Sequence, residues 1–387
     1  MDISGILFGL VAWLGHCLIV IFSHNRFYGL PLSHKTTDGI QFVHFLWLCF
    51  GPVILFFFWS GQIPLGTSGD PVWLAAILWL CFAAAAVGLP ADLLLRALRR
   101  GQGVPTETLP TILDVAPLGA AVLDLRGPGL RGLLCKIPGN RSLYPVLRQV
   151  ELVQEQLPPA WDGLTILHLS DLHVQKNPTP EFFQGLARTL RPLEPDIIAF
   201  SGDLVEKGDP LHGEIFREFL SGLKFKEAGL AILGNHDFWH PIEPTLAILK
   251  QQGYRHLGNR RSRVAIRGAE MAISGLEYPW NAELPEGWGE RHKDWTLCLS
   301  HTPDHFPRFA QSGPGLMLAG HVHGGQICFP IVGPIIMPSI YGRYYDRGWF
   351  QKGQAFLHVS EGLSGGHPLR FGLNPGVCLI TLRTGKS

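Results

Sequence analysis

The sequence lacks the cysteine patterns of disulfide-linked and zinc-thiolate proteins. Its seven cysteines are an odd number, and no two of them form a C-x-x-C pair. Neither a disulfide framework nor a zinc site built from thiolates is therefore expected. The sequence also lacks an excess of charge of either sign, since the net charge at pH 7 is only +1. We expect no nucleic-acid partner, because proteins that bind nucleic acids usually present strongly basic surfaces.

Charged residues are scarce, at 16% of the chain against 46% hydrophobic residues, and the deficit is concentrated near the N-terminus. Three apolar runs, Ile3–Phe22, Ile40–Trp59 and Val72–Ala91, each have about the 20 residues that a helix needs to cross a bilayer. The first run has neither a charged segment before it nor a small-residue cleavage site, which argues against a signal peptide. We predict that residues 1–100 form a transmembrane anchor of about three helices.

The short loops between these runs predict an orientation. The loop after the first run carries Arg26 and Lys35, the loop 60–70 carries no lysine or arginine, and three arginines lie within Arg96–Arg100. Cytoplasmic loops are enriched in lysine and arginine. The N-terminus is therefore expected outside, and the chain after Arg96 in the cytoplasm.

The rest of the chain divides into a short Gly/Pro-rich segment and a long α/β region. Residues 101–149 have weak periodicity and are predicted to be a linker, with a segment lying on the membrane surface as the alternative. From residue 150 to 387, strands and helices alternate, and the chain becomes rich in strands after Tyr254. This order predicts two packed sheets flanked by helices. The predicted helices are Pro180–Leu193, Leu211–Leu223 and Pro241–Gln252.

Five short apolar runs in the α/β region end in polar residues. Open α/β sheets bind ligands at the edge where such strands end, so these segments are expected to converge. The five segments are Asp171-Leu172-His173, Gly202-Asp203, Gly234-Asn235-His236-Asp237, Ser300-His301 and Gly320-His321-Val322-His323.

These segments combine oxygen donors, which hard cations prefer, with imidazoles, which suit transition metals. Such a set is too large for one ion and suits two ions that share a carboxylate. His321 and His323 are expected to alternate at a strand end and to serve different ions. The candidate ligands are Asp171, His173, Asp203, Asn235, His301, His321 and His323.

The order of these motifs resembles the calcineurin-like metallophosphoesterase superfamily, over Val150–Arg383. The segment Gly320–Gln326 is most similar to bacterial membrane-associated members. The resemblance implies an α/β fold, a four-layer α/β/β/α metallophosphoesterase sandwich, here preceded by the N-terminal transmembrane helical region. It also implies two divalent metal ions, with manganese expected first and iron or zinc as alternatives. Asp171, His173 and His323 would bind one ion, Asn235, His301 and His321 the other, and Asp203 would bridge them.

The resemblance also implies a catalytic role for His236, beside the metal ligand Asn235. The histidine would stabilise the phosphoryl oxygens or protonate the leaving oxygen, work that suits a side chain with a pKa near neutrality. Asp237, the next residue, is expected to hold the His236 ring in orientation.

The substrate class is narrowed by what the motifs lack. Protein phosphatases of the superfamily typically read Gly-Asp-x-x-Asp-Arg-Gly, whereas this chain has Glu206-Lys207 in place of Asp-Arg. We therefore expect hydrolysis of a phosphodiester or pyrophosphate. A membrane anchor favours a lipid-linked substrate such as UDP-2,3-diacylglucosamine, at the cytoplasmic side of the inner membrane. Alternatives are a general phosphodiesterase, a phosphomonoesterase and an inactive membrane scaffold.

The segment Tyr341–Phe350 is expected either to cap the site, to touch the membrane interface, or to be an ordinary exposed insertion.

Overall fold

The chain forms two compact units. In the computed structural model the helical unit comprises Met1–Gly101 and Pro338–Tyr344, and the α/β unit comprises Gln102–Met337 and Tyr345–Ser387. The loop 60–70 and Arg100, on which part of the orientation prediction depends, lie outside the described residues. The structure describes residues 3–30, 32–59, 72–99, 105–116, 125–127, 129–175, 177–206, 210–281 and 283–385.

The helical unit consists of long apolar helices. Two stretches, Leu7–Tyr28 and Ala76–Leu95, are long and apolar enough to cross a membrane, and most of their surface is exposed. This exposure differs from the burial expected of a core helix in a soluble protein. The remaining predicted run lies within a long continuous helix that contains Pro52. The helices are α1 (Ile3–Tyr28), α2 (His34–Trp59), α3 (Val72–Ala83) and α4 (Leu89–Arg99), with a π-helical turn at Ala84–Gly88 between the last two.

Small residues let the helices of this unit approach closely. A side chain at Gly15 of α1 would collide with the backbone of Cys81 in α3, and one at Gly51 of α2 would collide with the ring of His16. Helices in membranes pack through such small residues, because apolar lipid removes the hydrophobic advantage of larger ones. The exposed side chains include Leu10, Phe42 and Trp79, as expected of lipid-facing surfaces.

The α/β unit contains two mixed sheets that carry the candidate site. The larger sheet has the order β1-β3-β16-β4-β5-β6-β7, with β2 also paired to β3, and the smaller has the order β14-β15-β11-β10-β9-β8. The strands in chain order are β1 (Thr106–Glu107), β2 (Thr111–Ile112), β3 (Val146–Gln154), β4 (Thr165–Leu169), β5 (Ile197–Ser201), β6 (Ala228–Ile232), β7 (Tyr254–His256), β8 (Arg261–Ile266), β9 (Ala269–Leu276), β10 (Thr296–Ser300), β11 (Gly315–Ala319), β12 (Cys328–Phe329), β13 (Gly333–Pro334), β14 (Gly348–Lys352), β15 (Ala355–Val359) and β16 (Gly376–Thr384).

Alternate residues of the buried strands face two different layers. In β5, Ile197 and Ala199 pack between the two sheets, whereas Ile198 and Phe200 pack against the helices on the outer face. Phe306 and Phe309 cover the outer face of the smaller sheet. This gives the four-layer α/β/β/α order that the sequence predicted. The helices of this unit are α5 (Gly129–Leu134), α6 (Pro180–Leu190), α7 (Pro210–Ser221), α8 (Glu243–Gln251) and α9 (Phe306–Ser312).

The predicted linker contributes to the fold of the α/β unit. Its described residues include β1 and β2, which pair with β3, and the helix α5. The linker prediction failed because short strands with few residues carry almost no periodicity. The segment Tyr341–Phe350 is divided as well, since its first residues belong to the helical unit and Gly348 begins β14.

Candidate metal centre

Strands from both sheets bring the predicted ligands to one place. In the larger sheet β4, β5 and β6 are parallel, so the residues that follow them meet at one edge. In the smaller sheet β10 and β11 are also parallel, and they supply His301 and the two histidines after Gly320. The sequence could predict each strand end, but only the packing of the two sheets brings all five together.

The backbone at the site is strained. Five of the predicted ligands have left-handed backbone angles, a conformation that non-glycine residues rarely adopt. Such strain is typical of functional sites, where the surrounding structure enforces it. His321 and His323 lie in a loop beyond β11, so the expected alternation at a strand end is wrong for them. The five φ angles are 53° at Asp171, 41° at His173, 54° at Asp203, 71° at His321 and 51° at His323.

The first group of donors contains Asp171, His173, Asp203 and His323. The Nε2 atoms of His173 and His323 lie only 3.2 Å apart. His173 Nε2 is also 3.4 Å from Asp203 Oδ2, and His323 Nε2 is 3.5 Å from Asp171 Oδ1. Two ring nitrogens and two carboxylates therefore face one small volume.

The second group contains Asp203, His301 and His321, with Asn235 beside them. His301 Nε2 lies 3.4 Å from Asp203 Oδ1 and 3.0 Å from Asn235 Oδ1. Asp203 is thus common to both groups, with one carboxylate oxygen towards each. This is the arrangement expected of a carboxylate shared by two cations.

The donor set fits cations. Asp171 and Asp203 are buried, and buried carboxylates need compensating positive charge. His321 Nε2 is buried without a hydrogen-bond partner among the described residues, which leaves an unsatisfied nitrogen in the site. His301 Nδ1 donates to the carbonyl of Ser201 at 2.8 Å, which fixes the tautomer and leaves Nε2 free to ligate.

The pKa of His301 reflects the same need for positive charge. Burial lowers the pKa of this ring, but the carboxylates of Asp203 and Asp171 raise it to about 9. A proton on His301 therefore offsets the buried carboxylates when no cation does so. A metal ion at the same place would compete with that proton.

Glu206, which the sequence analysis did not select, connects the candidate metal ligand His173 with the candidate catalytic residue His236. Its Oε2 accepts hydrogen bonds from His173 Nδ1 at 2.9 Å and from His236 Nδ1 at 2.7 Å. Burial raises the pKa of Glu206, but these two bonds hold it well below its usual value. The available signal was its position in Gly202-Asp203-x-x-Glu206, where the protein-phosphatase pattern has a carboxylate.

Asp237 does not orient His236, and that expectation is wrong. Its buried carboxylate accepts from the backbone amides of Leu204, Val205 and Gly234. It thereby joins the loop after β5 to the loop after β6. Burial and the nearby Asp203 raise the pKa of Asp237 to about 6.

Two tryptophans lie beside the donors and were also missed. The Trp239 ring is 3.8 Å from that of His236, and the Trp280 ring is 4.7 Å from that of His321, measured between centroids. Glu277 fixes the Trp280 loop, because its buried carboxylate accepts from Leu233 N at 2.8 Å and from Asn281 Nδ2 at 2.8 Å. No pattern in the sequence distinguished these two from the other tryptophans.

Comparisons with known proteins identify a matching family and several relatives. A family model described as calcineurin-like phosphoesterase matches residues 164–325. An uncharacterized metallophosphoesterase of Bacillus subtilis, YkuE, is 30% identical over 59% of this chain and 82% of its own. A Bos taurus transmembrane protein with a metallophosphoesterase domain is 26% identical over 80% of this chain and 72% of its own. The phosphodiesterase YaeI of Escherichia coli is 28% identical over 56% of this chain and 81% of its own.

Proposed function

The chain belongs to the calcineurin-like metallophosphoesterase family, and from this premise we propose that it is a membrane-anchored dinuclear enzyme that hydrolyses a phosphodiester or pyrophosphate bond. The observation that carries the proposal is the position of Asp203. Its Oδ2 lies 3.4 Å from His173 Nε2 and its Oδ1 lies 3.4 Å from His301 Nε2, so one carboxylate serves both groups of donors.

The two groups would hold one divalent cation each. Asp171, His173 and His323 would bind the first, Asn235, His301 and His321 the second, and Asp203 would bridge them. When bound, the two cations supply positive charge that polarises the phosphoryl group and activates water at neutral pH. The mixed oxygen and imidazole donors support Mn²⁺, with iron and zinc as the competing metals.

His236 is the proposed proton donor to the leaving oxygen. Its ring is partly exposed, with 14% of the side-chain surface accessible, so substrate can reach it. The Nδ1 atom of His236 contacts Glu206. The other ring nitrogen, Nε2, therefore lies on the side of the ring that faces away from Glu206. A histidine held in this way can act as a general acid near neutral pH.

Glu206→Gln tests the positioning of His236 and His173. The amide keeps the size of the side chain but removes the charge that accepts both Nδ1–H groups. We expect kcat to fall roughly 10–100-fold, as for other residues that orient ligands and catalytic rings. Steady-state kinetics together with metal analysis measure the effect, and Glu206→Asp should restore part of it. The exposed Glu214→Gln on α7 is the control, and unchanged turnover in Glu206→Gln would contradict the assignment.

The substrate is proposed to be a diester or pyrophosphate that is linked to a lipid. The chain lacks the arginine of the protein-phosphatase pattern, and one relative is named a phosphodiesterase. The apolar helices Leu7–Tyr28 and Ala76–Leu95 would hold the enzyme where lipid-linked substrates are concentrated. The charges of Arg26 and Lys35 support a cytoplasmic catalytic unit at the inner membrane.

A comparison of substrates separates this proposal from its alternatives. Chelator-treated protein should show no turnover, and Mn²⁺ should restore it more fully than Fe²⁺ or Zn²⁺. In detergent we expect a lipid-linked pyrophosphate such as UDP-2,3-diacylglucosamine to be hydrolysed with a higher kcat/KM than a soluble chromogenic diester. Equal rates would indicate a general phosphodiesterase, and faster monoester turnover a phosphomonoesterase. The absence of metal-dependent turnover with every ester would indicate a scaffold.

A further inference from the structure

The α/β unit exposes large apolar side chains on two neighbouring elements, α5 with the turn after it and the hairpin β12–β13. Ile331, at the tip of the hairpin, is 89% exposed, and Leu130 of α5 is 73% exposed. Soluble surfaces rarely gather such side chains without a partner. We call this surface the apolar face, formed by Leu130, Leu133, Ile137, Phe329, Ile331 and Ile336.

One segment of the chain holds the two elements side by side. Asn140, which follows α5, donates through Nδ2 to the carbonyl of Pro368 at 2.8 Å. Phe371, three residues further on, donates its amide to Gln326 O at 2.9 Å and accepts from Cys328 N at 2.8 Å. Residues 368–371 therefore hold the turn after α5 close to the base of the hairpin.

The charge of α5 and of the segment after it has a single sign. Between residues 129 and 145 the chain contains Arg131, Lys136 and Arg141 and no aspartate or glutamate, whereas Asp124 and Arg126 precede the helix. Basic residues beside exposed leucine, isoleucine and phenylalanine are typical of segments that lie in the interface of an anionic bilayer.

The hairpin is continuous with a segment of the helical unit. Met337 is followed by Pro338, the first residue of the segment that belongs to the helical unit. Within that unit a side chain at Gly29, just beyond α1, would collide with the backbone of Ser339, and Arg343 pairs with Asp92 of α4. Gly29 and Asp92 lie at the C-terminal ends of the two candidate spans. Within the helical unit, residues 338–344 therefore lie at the C-terminal ends of both spans.

We propose that the apolar face docks on the anionic surface of the membrane that holds the helical unit. The hairpin side chains would enter the boundary between headgroups and acyl chains, and the basic residues of the α5 segment would contact the lipid phosphates. This docking does not depend on turnover, so it can be tested independently of the proposed catalytic activity.

The experiment places an environment-sensitive fluorophore on Ile331→Cys in the full-length chain, reconstituted at one protein per nanodisc with anionic lipid. Phe329→Cys is a second position on the face. Val153→Cys is the control, because Val153 is 57% exposed and lies at the end of β3, at the opposite edge of the larger sheet from the metal-binding loops. The native cysteine Cys49 is exposed and will also react with the fluorophore. The protein without an added cysteine, labelled in the same way, therefore measures this background fluorescence.

At positions 331 and 329 we expect blue-shifted emission that is quenched by lipids brominated on their acyl chains, with neither effect at position 153. Lys136→Glu should weaken the quenching at position 331, and so should replacement of the anionic lipid by a zwitterionic one. Emission and quenching at 331 and 329 equal to those at 153 would overturn the proposal. A blue shift without quenching by brominated lipid would also overturn it, because it would show that protein covers the face.

Discussion

Replacing Asp203 with asparagine is expected to lower turnover strongly and to reduce the bound metal below two ions per chain. The amide keeps the volume of the side chain but loses the negative charge that both donor groups share, at 3.4 Å from His173 Nε2 and from His301 Nε2. We expect a loss of kcat of about 10³-fold, because removing a single preorganised charge-stabilising group from an active site can cost that much.

Metal analysis of the purified variant and steady-state kinetics at saturating Mn²⁺ measure this prediction. Asp294→Asn is the matched control, since Asp294 is exposed and pairs with Arg263 on the surface. If Asp203→Asn retains two ions and full activity, Asp203 does not bridge them, and the dinuclear assignment fails.

His236→Ala should also lose most turnover but, unlike Asp203→Asn, it should keep its bound metal. His236 Nδ1 contacts Glu206 at 2.7 Å, and the ring is not part of either group of donors that shares Asp203. Removal of a general acid usually costs about 10²–10⁴-fold in rate. The loss should be smaller for substrates with a good leaving group, because such groups need less proton donation.

The comparison of two diesters with leaving groups of different pKa provides the decisive measurement. His240→Ala, four residues along the same loop, is the control; that ring contacts the carbonyl of Val205. Loss of metal from His236→Ala would show that His236 is a ligand. An equal loss of rate for both diesters would exclude the role in proton donation.

The contrast between Glu206 and Asp237 shows where local sequence is insufficient. Asp237 is adjacent to His236 in the chain and was expected to orient it, but its carboxylate turns to the backbone of the loop after β5. The carboxylate that reaches His236 comes from Glu206, thirty residues earlier. Adjacent residues in a turn commonly point in different directions, so proximity in sequence did not predict this contact.

The sequence by itself determined the fold class and the residue types at the candidate site. Each candidate donor follows a short apolar run, and such runs must be buried in a sheet, which leaves the polar residue at its edge. The apolar helices were equally visible, because the length and composition of a membrane-crossing helix are local properties.

Only the tertiary structure decided that Glu206 contacts both His173 and His236, where Trp280 lies, and that residues 338–344 belong to the helical unit. These features depend on the order of strands within two sheets and on how the sheets pack. Strand order pairs residues that are far apart in the chain, such as His168 of β4 with Cys378 of β16. The physical reason is that hydrophobic burial specifies which face of a strand is covered but not which strand is its neighbour.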